Sequence, residues 1–152
     1  MTPFDLTQEL LTFVAGELQT NGVPVPARRY VAHNRPAGDP CEELVVWVDP
    51  IRDSSPVLGT PIPQTTVRFW VSLVFAHPVG SAHTPVPSTQ ALTGAAQKTT
   101  VAGWWLWRAL QRSQREVFDR CERVVVLDLV PEGPQGGFAW WTGSVETTFN
   151  PL

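Results

Sequence analysis

The sequence predicts an α+β domain with two main helices and a mixed, largely antiparallel sheet of about five strands, in the order α-β-β-β-α-β-β. Three observations lead there. Apolar residues recur at helical spacing in only two segments, near the start and past the middle of the chain. Runs of alternating or continuous apolar residues stand between and after them, among them ELVVWVD, TTVRFWVSLVFAH and FAWWTGSVETTF. Most consecutive strands are joined by loops and not by a helix, which favours antiparallel or mixed pairing. With 152 residues the chain reads as a single domain, 1–152, long enough to bury a core.

Residues 2–20 read as the first helix. Thr2 suits the N-cap, Pro3 the first helical position, and Asp5 complements the N-terminal dipole. Leu6, Leu10, Phe13, Val14 and Leu18 form one apolar stripe, and Asn21-Gly22 is a stop. Val25–Ala32 reads as a short strand entered irregularly through Pro24 and Pro26, followed by the loop HNRPAGDP. Glu43–Asp49 is the next strand, and Pro50–Gln64 a long Pro-rich loop or arm. Thr65–His77 is the longest strand. Val67, Phe69, Val71, Leu73 and Phe75 share its core face; Thr66, Arg68, Trp70, Ser72 and Val74 share the other.

After a second loop at 78–88, a helix is expected from Thr89 to about Arg120, weakened at Gly94 or Gly103. Its AGWWLWRAL segment sets Trp105, Leu106, Trp107, Ala109 and Leu110 on a broad apolar face. Trp104 falls on the side of Arg108, Gln111, Arg112 and Arg115, either under an arginine stem or against a neighbouring subunit. Arg123–Val130 is the next strand, PEGPQGG a turn, and Phe138–Phe149 the closing strand. There Ala139, Trp141, Val145 and Phe149 take the apolar face, and Trp140 the polar one.

Composition narrows the function. A net charge of −3 argues against a general nucleic-acid binder, and no apolar run approaches the roughly 20 residues of a membrane span. The start of the chain lacks the basic region and cleavage site of a signal peptide. Cys41 and Cys121 stand in no metal or redox spacing and read as reduced thiols, with a disulfide the alternative. No nucleophile elbow, phosphate loop, dinucleotide fingerprint or zinc-protease motif occurs. His77 and His83 flank a loop without acidic or thiol partners, and His33 sits among Asn34, Arg35 and Asp39 as in ordinary loop packing. Glu42, Glu43, Asp49 and Asp53 read as sheet-end charges. No catalytic residue, cofactor or metal ligand is therefore assigned. The unusual feature is a stretch from Ser54 to Gln97 in which Arg68 is the only charged residue. Low charge with aromatics nearby is the composition of interface cores.

The order of elements resembles tail terminator (tail-completion, head–tail joining) proteins of long-tailed bacteriophages with non-contractile tails. Glu43–Pro50, Thr65–Pro78, Thr89–Arg120 and Gly136–Asn150 match, in turn, the strand that follows that family's loop-rich first strand, its long amphipathic strand, its helix and its closing strand. The resemblance covers nearly the whole chain and is one of pattern and order, without a diagnostic motif. It implies a virion protein at the head–tail junction, assembled in the host cytoplasm. Its subunits would close into a hexameric ring that caps the tail tube, ends tail polymerisation and meets the head-completion or connector protein. It implies no catalysis, no cofactor, no membrane and no sequence-specific nucleic acid, the genome passing through the ring lumen. Such a ring needs two complementary patches per subunit, for which Val57, Leu58 and Ile62 of the arm, Arg68, Trp70, Trp104 and Trp140 are the candidates. Other neck or tail-tube proteins are the nearest alternative. A small-molecule-binding or enzymatic domain with Trp47, Trp70 and Trp140 around a pocket is the alternative from a different class.

Overall fold

A computed structural model describes residues 2–36, 41–49, 52–54, 64–78 and 86–149. Its elements are α1 (Pro3–Thr20), β1 (Arg29–Val31), β2 (Glu43–Val48), β3 (Arg52–Ser54), β4 (Gln64–Ala76), α2 (Thr89–Glu116), β5 (Arg123–Gln135) and β6 (Phe138–Phe149). This is the expected α+β domain with one additional short strand. At the start of α1 the Thr2 hydroxyl accepts from the Asp5 amide while the Asp5 carboxylate accepts from the Thr2 amide at 2.7 Å. This reciprocal pair satisfies orphan donors of the first turn and holds the Asp5 carboxyl below its usual range.

The sheet runs β1-β2-β4-β6-β5. β1 is parallel to β2, and every other pairing is antiparallel. The arm departs from expectation, because Arg52–Ser54 pairs with β4 as β3. Val48 opposes Phe69 and Arg52 opposes Thr66, so four steps along β2–β3 match three along β4. β3 thus prolongs β2 past an irregularity, and β2–β3–β4 forms one long hairpin. Val57, Leu58 and Ile62 lie outside the described residues.

Three boundaries also differ. The first strand is confined to Arg29–Val31, since Pro24 and Pro26 offer no amide to a ladder. α2 stops at Glu116, where the Val117 and Phe118 amides both bond back to the Ser113 carbonyl. PEGPQGG is mostly strand: β5 continues to Gln135 through register shifts after Val126 and Glu132. The reversal falls on Gly136 and Gly137, whose φ angles of 60° and 82° suit glycine alone.

α1 packs on β1, β2 and β4, and α2 on β5 and β6, both on one side of the sheet. Leu6, Leu10, Val14 and Leu18 meet Leu44, Val46, Val67, Phe69, Val71 and Leu73 there, with Leu106, Leu110 and Val145 completing the core. Phe118 closes it against Phe69, with ring centroids 5.0 Å apart. The expected core face of the long strand is therefore the one beneath the helices, as is the Trp141 face of β6. Gly94 and Gly103 do not interrupt α2. Cys41 and Cys121 are both free thiols. No helix among the described residues is long and apolar enough to cross a membrane.

Candidate functional site

Among the described residues the opposite face of the sheet carries no helix, yet it is not a polar surface. The pairing register orders its side chains into rows across the strands. One row runs Glu43, Val74, Trp140, Glu132 from β2 to β5; the next runs Tyr30, Val45, Ser72, Thr142, Val130 from β1. A third brings Trp47 of β2 directly opposite Trp70 of β4, with Ser144 beyond, and a fourth pairs Arg68 with Glu146.

The third and fourth rows form one stack. The Trp47 and Trp70 rings lie 6.1 Å apart and 6° from parallel. The Arg68 guanidinium stands 5.7 Å from the Trp70 ring centroid and donates to Glu146 at 2.9 Å. A cation over an indole face is attracted by the ring quadrupole. The ion pair itself is over a third exposed at both ends and contributes under about 1 kcal/mol. Trp47, only 5% exposed, lies at the base of the stack. Trp70 is half-buried, and its Nε1 is shielded from solvent with no acceptor among the described residues. A buried donor without an acceptor costs on the order of 1–3 kcal/mol.

At the other end, the buried Glu43 carboxylate gathers three donors. Oε2 accepts from the Tyr30 hydroxyl at 2.9 Å, faces the Cys41 thiol at 3.7 Å and pairs with Arg28 at 3.2 Å. Burial, then the bond to Glu43, pushes the Tyr30 hydroxyl above its ordinary pKa. Hydrogen bonding with Tyr30 raises the Arg28 guanidinium first, with the nearby charges adding to it. The Glu43 carboxylate is thus partnered within the cluster, and the Tyr30 hydroxyl stays neutral at ordinary pH.

Because β1 and β2 are parallel neighbours, the chain between them must return along the sheet. The described part of that return lies over this helix-free face. Arg35 reaches Glu132 on β5, at the opposite edge of the sheet, at 3.7 Å. Glu132 also accepts from the Trp140 indole. The strap divides the face into two adjoining open concavities of about 440 and 580 Å³, sharing Arg35, Trp47 and Thr142. Trp47 and Trp140 line the first, Trp47 and Trp70 the second.

The candidate residues are thus only partly brought together. Arg68, Trp70 and Trp140 share this face, whereas Trp104 stands on the outer side of α2, 57% exposed. The described cation–π pairs are Arg28–Tyr30, Arg68–Trp70 and Arg112–Phe13, so among the described residues no arginine covers Trp104. His77 Nδ1 lies 3.1 Å from the Pro78 carbonyl, and His83 is outside the described residues. Among the described residues no three His, Cys, Asp or Glu side chains form a metal-sized cluster. Sequence reasoning missed the Arg35–Glu132 strap. Its only signal was a short loop-flanked strand whose partner could not be named before the parallel pairing was known. Compared with protein-family models and with curated proteins, the chain gives no match.

Proposed function

We propose that the chain is a structural subunit of a bacteriophage tail, a terminator that closes into a ring on the tail tube and presents a surface to the head. The observation carrying this reading is the helix-free face with its Glu146–Arg68–Trp70–Trp47 stack, aromatic, open and holding an indole donor that meets no acceptor among the described residues. A surface of that kind suits burial against another protein, where aromatic and arginine side chains supply most of the binding energy. The order of elements agrees with the terminator resemblance, while the long β2–β3–β4 hairpin is the feature that the tail-tube alternative would use. In this reading the chain does no catalysis and holds no cofactor. Its work is geometric: one repeated head-to-tail contact closes the ring, and the ring stops tube growth.

Electron microscopy and light scattering test the proposal. Rings, or a monomer that converts to rings on meeting tail tubes, are expected. A protein that stays monomeric and ignores tubes would sink it. A tube or neck subunit would instead add continuously to tubes or join the head alone.

A second reading rests on the concavity beside Trp47 and Trp140, which brings aromatic walls near the Glu43 cluster. A small-molecule site has such walls with a few polar groups. Saturable quenching of tryptophan fluorescence by a small molecule, abolished by Trp140→Ala with assembly intact, would favour it.

A further inference from the structure

The two helices carry opposite charge on their solvent faces. No lysine or arginine occurs before Arg28, so the charges of α1 are Asp5, Glu9 and Glu17. No acidic residue occurs in α2 before Glu116, so its charges up to that point are Lys98, Arg108, Arg112 and Arg115. Glu17 and Arg112 face each other within the molecule at 2.6 Å, and the Arg112 guanidinium also sits over Phe13. The remaining groups of both helices point outward. Asp5, Glu9, Thr12 and Gly16 follow one another along a single exposed stripe of α1. Val101, Trp104, Arg108 and Arg115 do so on α2, with Val101 45% and Trp104 57% exposed.

From this complementarity we infer that copies of the chain associate by seating α2 of one on α1 of the next, antiparallel, with Trp104 over Thr12 and Gly16. The spacing fits. Arg115 lies eleven residues after Trp104, and Asp5 eleven before Gly16, about 16 Å along either axis. Antiparallel seating therefore brings Arg115 to Asp5 when the indole is over Gly16, and Arg108 beside Thr12 and Glu9. A side chain at Gly16 would meet nothing within 4 Å, so open ground for the indole exists there. The intramolecular Glu17–Arg112 contact already makes one α1–α2 pair of this type. The inference rests on the ring reading only in taking the partner to be a second copy, and it supplies the two unlike patches such a ring requires.

Native mass measurement of the full chain with two paired variants tests it. Arg108→Glu/Arg115→Glu makes the α2 face acidic, and Glu9→Arg/Thr12→Arg makes the α1 face basic. These exposed substitutions should leave the thermal midpoint within a few degrees. Each variant alone should lose at least tenfold in association constant. An equimolar mixture should recover much of the assembly, because the contact between unlike chains in one direction is wild type. In the other direction position 108 again meets opposite charge at positions 9 and 12, with only position 115 against Asp5 left like-charged. Wild-type assembly that neither variant weakens overturns the inference and leaves the ring reading standing. Assembly that stops at a dimer, yet follows the charge-swap pattern, supports the contact and overturns ring closure. A wild type monomeric at every concentration overturns the contact. So does binding of duplex DNA lost with Arg108→Glu/Arg115→Glu while self-association is absent.

Discussion

The indole of Trp141 lies on the backbone of Gly103, filling the space any side chain at that position would occupy. Its Nε1 donates to the Thr99 carbonyl at 2.9 Å, one turn earlier in the same helix. Trp141 thereby fixes α2 on β6 through both shape and a hydrogen bond. The glycine inside α2, a mild cost in helix propensity, is required by this contact. Gly103→Ala should therefore destabilise the fold although alanine is the better helix former. Overpacking costs about 1–3 kcal/mol against a propensity gain of about 1 kcal/mol. Urea unfolding should show a net loss. Gly94→Ala, where an added Cβ meets nothing, should be neutral or stabilising.

The pair Trp140–Trp141 opens onto both faces of the sheet, and its two members should part in experiment. Trp141→Ala removes core packing and should cost about 3–5 kcal/mol. Trp140→Ala should cost less, because that ring lines an open concavity and bonds Glu132. If the helix-free face is an interface, Trp140→Ala should weaken assembly more than it lowers the unfolding midpoint. Equal loss of both would place Trp140 in the core.

Much of the fold was legible in the sequence because its cues are local. Alternation along Val67–Phe75 assigned the buried face of β4, and the Thr2/Pro3/Asp5 signature placed the start of α1. What was not legible depends on partners distant in the chain. Three residues at Arg52–Ser54 have no strand pattern of their own and become a strand only by pairing with β4. β5 outruns its apolar run because β6 continues to offer a ladder opposite Pro131–Gln135. In the candidate site, the alternation rule put Arg68 and Trp70 on one face. The Trp47–Trp70 stack needed the β2–β4 register, which fixes which residues lie opposite. The Arg35–Glu132 strap needed the whole strand order.

The unmet donor on Trp70 gives a sharper test than truncation alone. Trp70→Phe removes the N–H while keeping an aromatic ring beside Trp47. Because that N–H makes no bond among the described residues, its loss should leave stability unchanged or raised by up to about 1 kcal/mol. If a neighbouring subunit supplies the acceptor, Trp70→Phe should still lower ring formation. A stability loss above about 1 kcal/mol, with assembly unaffected, would mean that the indole nitrogen works within the subunit.

Cys121 offers a pH-dependent readout of the end of α2. Burial, with Asp119 adding to it, pushes its thiol up to about 11 from 9.0. The thiolate is the nucleophile, so alkylation of folded Cys121 near pH 9 should be far slower than in urea. The difference should close as pH rises past 11. A folded pKa above the unfolded one means the native state holds this proton more tightly. The associated stability is therefore complete below pH 9 and is lost as pH rises from 9 through 11. The thiol is still partly exposed, which makes that contribution small, and Cys121→Ser should flatten only the alkaline limb of stability against pH. Rapid labelling of folded Cys121 at pH 9 would show instead that the turn after α2 opens easily, and that Phe118 does not seal this end of the core.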